Sequence, residues 1–328
     1  MMPGVVTAAA GPEVLTAVGG LPFDICGVFK EPTAFEQLKS GQYLVFDRRA
    51  HAVFGVDAKQ TTAWKLVDIG QEPGRLLDPT AFDAEPGGSF AVADAPDGRE
   101  RIQLFSESGR RLGGFSLRGR AEPRVTLGNQ VVSGAGSLQY TGDSILMSQP
   151  ETGALFTEFG LAGTPTRSIG LLRPTGHEPE PDLHLALNSG LVLAIPGGGF
   201  YFVFQSGIPA FRKYDATGRM VFERHIEGVE LDPVIAALPT IWPRRGRVDG
   251  GQDLPMVTAL IRAAAVDPAG NLWVSLTTQS TYVYDRDGAR TRVVQFRGAG
   301  MVAPASMSFP APGRMLVTPG CYEFRTAR

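Results

Sequence analysis

Six short apolar runs punctuate the chain: YLVFD from Tyr43, FAVAD from Phe90, SILMS from Ser144, FYFVF from Phe200, LWVSL from Leu272 and MLVTP from Met315. Their starts lie 47, 54, 56, 72 and 43 residues apart. The runs are near-continuous and bounded by turn residues, which predicts strands buried on both faces. A repeat of roughly 40–55 residues built of such strands is the sign of a propeller. One unit cannot bury its own two faces, so neighbouring units must stack around a closed ring.

Two further markers keep the same order. The hexapeptides EPTAFE (Glu31 to Glu36) and DPTAFD (Asp78 to Asp83) each begin 12 residues before an apolar run. APASMS from Ala303 keeps that spacing, and RAAAVD from Arg262 reaches its run through a loop two residues shorter. An aromatic also stands four residues before a glycine in FSESG (105–109), FGLAG (159–163), YDATG (214–218) and YDRDG (284–288). Each reads as the end of a third strand and a tight turn into an outer strand, where glycine takes φ > 0 without a Cβ clash.

With these motifs in place, PTAFDAEPGGSFAVADAPDGRERIQLFSESGRRLGGF (79–115) and AAAVDPAGNLWVSLTTQSTYVYDRDGARTRVVQF (263–296) resemble the blades of NHL-repeat six-bladed β-propellers. The reading is all-β, one propeller domain over residues 1–328. After MLVTP and CYEF only RTAR remains, so the last blade lacks an outer strand. PEVLTAVGGLPFDICG, ahead of blade 1, is expected to supply it and latch the ring. An insertion at about 229–256 separates blades 4 and 5. Within it DPVIAAL (232–238) predicts a short helix with Asp232 as N-cap, and PRRGRVDGGQD (243–253) a loop with little to bury.

Composition agrees: 41 Gly and 25 Pro exceed what a helical protein tolerates. Charge is nearly balanced, 31 basic against 33 acidic residues, which offers no field for a phosphate backbone and argues against nucleic acid. No apolar run approaches the ~20 residues of a membrane span. The N-terminus lacks the charged and continuous apolar regions of a signal peptide, leaving the compartment open, with periplasm or secretion open if the start is truncated. Cys26 and Cys321 make neither a disulfide framework nor a metal motif. A monomer is expected.

Candidate chemistry gathers where the chain enters each inner strand. The repeat puts Glu31, Asp78 and Arg262 in one register there, and the same face should carry Arg48, His51, Arg99, Glu100, His177 and His184. Convergent charges at a channel mouth suit a polar ligand or a cation, and the face could equally take a protein partner. They also suit plain strand capping and mutual pairing. His177, Glu178, Asp182 and His184 crowd one loop, but their spacing matches no metal motif, and Pro174, Pro179 and Pro181 argue against a helix that would align them. VDPAGNLWVS (266–275) is similar to a strand pair of gluconolactonase and senescence-marker propellers, which hold a divalent cation. That resemblance implies a lactonase-like hydrolase with calcium or zinc in the channel. Where it places an aspartate ligand this chain has Arg262, and a guanidinium cannot bind a cation. The favoured expectation is therefore a non-catalytic binding propeller without cofactor, with Arg262 answering the carboxylates of Glu31 and Asp78.

Overall fold

The structure is a computed structural model that describes residues 11–117, 123–127, 130–133, 137–245 and 253–326. Six four-stranded antiparallel units surround a central channel. Each begins with an inner strand on the channel wall: Pro32–Gln37, Ala81–Glu85, Leu138–Tyr140, Gly190–Ala194, Ile261–Val266 and Ser306–Ala311. The apolar runs are the second strands, starting within one residue of the positions read from the sequence: Tyr43–Asp47, Ser89–Asp94, Ser144–Ser148, Phe200–Phe204, Leu272–Leu276 and Arg314–Thr318. Each lies between two strands of its own blade and between two neighbouring blades. Polar side chains have no outlet there, hence the continuous apolar pattern.

The core is divided among the junctions between blades, and the two-residue period of a strand does the dividing. In blade 1, Leu44 and Phe46 join Phe90 and Val92 of blade 2, whereas Tyr43 and Val45 turn back to Leu316 of blade 6. In blade 2, Ala91 and Ala93 meet Ile145 and Met147 of blade 3. Leu146 then meets Phe202, Tyr201 and Val203 meet Leu272 and Val274, and Trp273 meets Met315 and Val317. Every junction is filled by alternate residues of two second strands.

Closure uses the N-terminal segment, as expected, and uses it twice. Gly19–Gly20 pairs antiparallel with Tyr322–Arg325 and completes blade 6. Glu13–Thr16 runs parallel to the outer strand of blade 5, Arg290–Arg297, with Glu13 opposite Val294. A one-turn helix, α1 (Phe23–Cys26), follows and leads into blade 1.

In an antiparallel four-stranded unit the last strand ends on the side where the first began, so every connection between blades crosses one face, here the upper face. Blades 3 to 5 carry extra structure on it. Strand Pro123–Leu127 pairs with Gln130–Ser133 and lies against α2 (Pro181–Leu187). The insertion holds α3 (Asp232–Ala236) and a short pairing of Arg244–Arg245 with Leu254–Pro255. Leu183, Ala186 and Leu187 of α2 pack with Trp242 of the insertion and with Val257 just after it. Two expectations need correcting. Leu231, not Asp232, is the N-cap of α3, and Asp232 sits in the first turn, where a carboxylate suits the helix dipole. Pro181 does not prevent a helix; it starts α2 at a position whose N–H needs no helical partner. The stretch 246–252 of the predicted loop lies outside the described residues.

Candidate functional site

The channel encloses about 1280 Å³ and is walled by the inner strands of all six blades. Val234 of α3 also reaches its lining, so the insertion borders the upper opening. Of the nine residues singled out from the sequence, Glu31, Arg48 and Arg262 line the channel. The other six are not on its wall, so no ring of nine charges forms.

Two buried aspartates explain how the upper loops are held. Asp47 ends the second strand of blade 1 and accepts the backbone N–H groups of Lys30 (2.5 Å), Glu31 (3.1 Å) and Ala50 (2.9 Å). Asp94, its counterpart in blade 2, accepts from Leu77 N (3.1 Å) and takes Arg101 in a two-pronged pair at 2.6 and 2.8 Å. Both aspartates are fully buried. Each ties the loop entering a blade to the loop between its second and third strands. With that frame set, Glu31 Oε1 accepts from Arg48 Nη2 at 2.6 Å. His51 Nε2 lies 3.8 Å from Asp78 Oδ1. Arg99 is exposed and Glu100 is buried.

The histidine loop is held by contacts of its own. His184 Nδ1 bonds the Thr175 hydroxyl at 2.8 Å and lies 3.9 Å from Glu178, while His177 lies 3.6 Å from Glu180. Arg173 roots the loop in blade 4, donating to the carbonyls of Ile208 (2.7 Å), Ser206 (2.7 Å) and Leu187 (3.1 Å) and stacking 4.0 Å from the Phe204 ring. Among the described residues no group of three or more His, Cys, Asp or Glu side chains is placed to hold a metal ion.

Arg262 departs from expectation most. Glu31 bonds Arg48 and Asp78 faces His51, so Arg262 is not their shared partner. The register of its strand shifts between Ile261 and Ala263, a bulge at Arg262 that re-aims its side chain onto the channel wall. Its Nε is buried and has no hydrogen-bond partner among the described residues. A guanidinium N–H left so is costly.

The residues that sequence reasoning passed over are the final acids of the two hexapeptides. Glu36 and Asp83 both line the channel, at matching positions on adjacent inner strands. Each reaches the next blade. Glu36 Oε2 accepts from Ala84 N at 3.3 Å, and Asp83 Oδ2 accepts from Tyr140 N (2.5 Å) and Gln139 Nε2 (2.7 Å). Burial and the neighbouring Asp83 charge push the Glu36 carboxyl well above the usual range, opposed by the bond from Ala84. Burial pushes Asp83 up to about 7, opposed by its bonds from Tyr140, Gln139 and Ala84. Both keep some surface open to the channel. The signal was present: an acid repeated at the same place in EPTAFE and DPTAFD, within the strand rather than before it.

No protein-family model matches the chain, and no curated protein matches it. Solved structures do. Virginiamycin B lyase from Staphylococcus aureus superposes with a TM-score of 0.53 at 8% identity, over 93% of this chain and 96% of that one. A streptogramin B lyase gives 0.52 at 11%, over 90% and 93%. A chain of a mitotic checkpoint complex gives 0.51 at 10%, over 100% and 97%. Likeness at such low identity speaks for architecture only. Together with the six sheets around one channel, it makes this chain a six-bladed β-propeller.

Proposed function

We propose that the protein is a non-catalytic binding propeller whose upper channel opening takes an organic anion bearing a carboxylate or phosphate. The observation that carries this reading is Arg262: a bulge turns it to the channel, and its buried Nε has no acceptor among the described residues. A planar guanidinium in that condition favours a bidentate oxyanion. Arg48 lines the same cavity, held by Glu31. The test is a thermal-shift and calorimetric screen of mono- and dicarboxylates and phosphate esters. Binders should stabilise the wild type, and Arg262→Ala should weaken them about tenfold or more, the usual scale for losing a charge-assisted contact. Failure of every anion to bind, or equal binding by the variant, would overturn the reading.

A hydrolase acting on a lactone or ester in the same channel is a second reading. Asp83 supports it, since a carboxyl held up to about 7 can give or take a proton near neutral pH. Lactone hydrolysis that disappears in Asp83→Asn would replace the first reading with this one. Loss of activity to a chelator would add the metal that the gluconolactonase resemblance implies.

A further inference from the structure

We propose that Cys26 and Cys321 form a redox modification site, in which oxidation joins them as a disulfide that locks α1 to the last blade. The site lies at the seam where the ring closes. Gly19–Gly20 pairs with the last strand, and the next residue, Leu21, donates its N–H to Cys321 O at 3.0 Å. Five residues on, α1 ends at Cys26. Cys321 is fully buried in the junction between blades 6 and 1, among Leu21, Ile25, Phe29 and Leu316, and Cys26 packs against the same cluster. The two side chains share this cluster, and each shifts the other's titration. No other cysteine exists in the chain to compete.

The two sulfurs differ in the way a dithiol switch needs. Cys26 is half-buried, so a small oxidant can reach it, whereas Cys321 is sealed from solvent. Cys321, a thiol donor facing the Cys26 thiolate, holds the Cys26 thiol down at about 7, against the effect of burial. Cys321 is pushed up by Cys26, by burial and by the charge of Asp47. Cys26 is therefore the nucleophile and Cys321 the resolving thiol.

With a low-molecular-weight disulfide such as glutathione disulfide, the steps balance. The Cys26 thiolate attacks one sulfur, the S–S bond breaks, and one glutathione leaves as thiolate. Cys321 attacks Cys26 Sγ, and its proton passes to the sulfur of the second glutathione as that group leaves. Two protein thiols have given up two electrons and two protons, and glutathione disulfide has become two glutathione molecules. The new bond would tie the segment completing blade 6 to that blade, closing a loop of nearly the whole chain.

The experiment uses the full chain, incubated with glutathione disulfide and quenched with an alkylating agent. Both free thiols should vanish, mass spectrometry should find one peptide pair joined through Cys26 and Cys321, and the melting temperature should rise by several degrees and return with dithiothreitol. Cys26→Ser should fold, keep a thiol that is labelled only on unfolding, and show no shift. Cys321→Ala should stop at a glutathione adduct on Cys26. Two thiols still free after oxidation would sink the proposal. So would a wild-type adduct that never resolves, or a disulfide between two chains. Because these readouts involve no channel ligand, they succeed or fail independently of the binding reading.

Discussion

Asp83 has an environment that makes its protonation part of folding. Burial pushes its carboxyl up to about 7 in the folded chain, against about 3.9 when unfolded. Between those values the folded state holds the extra proton, so stability is full below about pH 4 and declines as pH rises through about 7. Urea unfolding at pH 5 and pH 7.5 should show the wild type losing on the order of 2 kcal/mol over that interval, after allowing for channel water. Glu36, raised as well, adds to the same slope, so Asp83→Asn should reduce it without abolishing it; an unchanged slope would show that Asp83 does not contribute. Asp94 tests a different balance. It is fully buried against Arg101, so Asp94→Ala leaves a guanidinium without its partner and should cost about 3–5 kcal/mol in urea. Asp78, whose side chain is 71% exposed opposite His51, should tolerate the same change within about 1 kcal/mol. Equal costs would refute this account. These acids also mark how far the sequence could be read. Position in the repeat revealed Glu31 and Asp78, but which acid is buried depends on what the adjacent blade presents, and no local pattern carries that. Arg262 was legible as a departure from the lactonase-like pattern, whereas its bulge was not.

At the scale of elements, the second strands were legible because they are buried on both sides, so every position votes apolar. The turns into the outer strands were legible through glycine, with one disguised copy. Gln60 takes φ 59 where Gly109, Gly163, Gly218 and Gly288 stand in other blades, and its Nε2 donates to the Tyr43 hydroxyl at 3.0 Å. Asp57, Asp215 and Asp285 begin three of these turns and accept backbone N–H groups two and four residues on. The glycines themselves are not equivalent. Gly153 (φ 83) has open space where a Cβ would go, so Gly153→Ala should cost only the left-handed backbone term, about 1–2 kcal/mol. A Cβ on Gly109 (φ 79) would meet Leu66 O at 2.3 Å, a backbone atom of blade 1. Gly109→Ala should therefore cost clearly more, and a melting comparison of the two variants checks the order. The four-residue strand Glu13–Thr16 escaped notice because it is too short to show a period and its partner is parallel. α2 escaped because proline was weighed as a breaker and not as a first-turn residue.

For the whole molecule, the ring stands or falls with its seam. Deleting residues 1–20 strips blade 6 of its outer strand and blade 5 of its parallel neighbour, leaving two open edges. The shortened chain should melt lower by roughly 10 °C or more and associate through those edges, read by calorimetry and light scattering. A monomer of unchanged melting temperature would show the seam to be dispensable. The same seam bears on how the chain is made. Glu13 finds its partner only when Val294 exists, and Gly20 waits for Tyr322. At about 5–20 residues per second, the first strands leave the ribosome tens of seconds before anything can pair with them. Blades 1 to 4 can stack in order as they emerge, while the opening segment must stay unpaired throughout. Synthesis thus has a built-in order: the segment ahead of blade 1, made before any blade, is among the last to find its place.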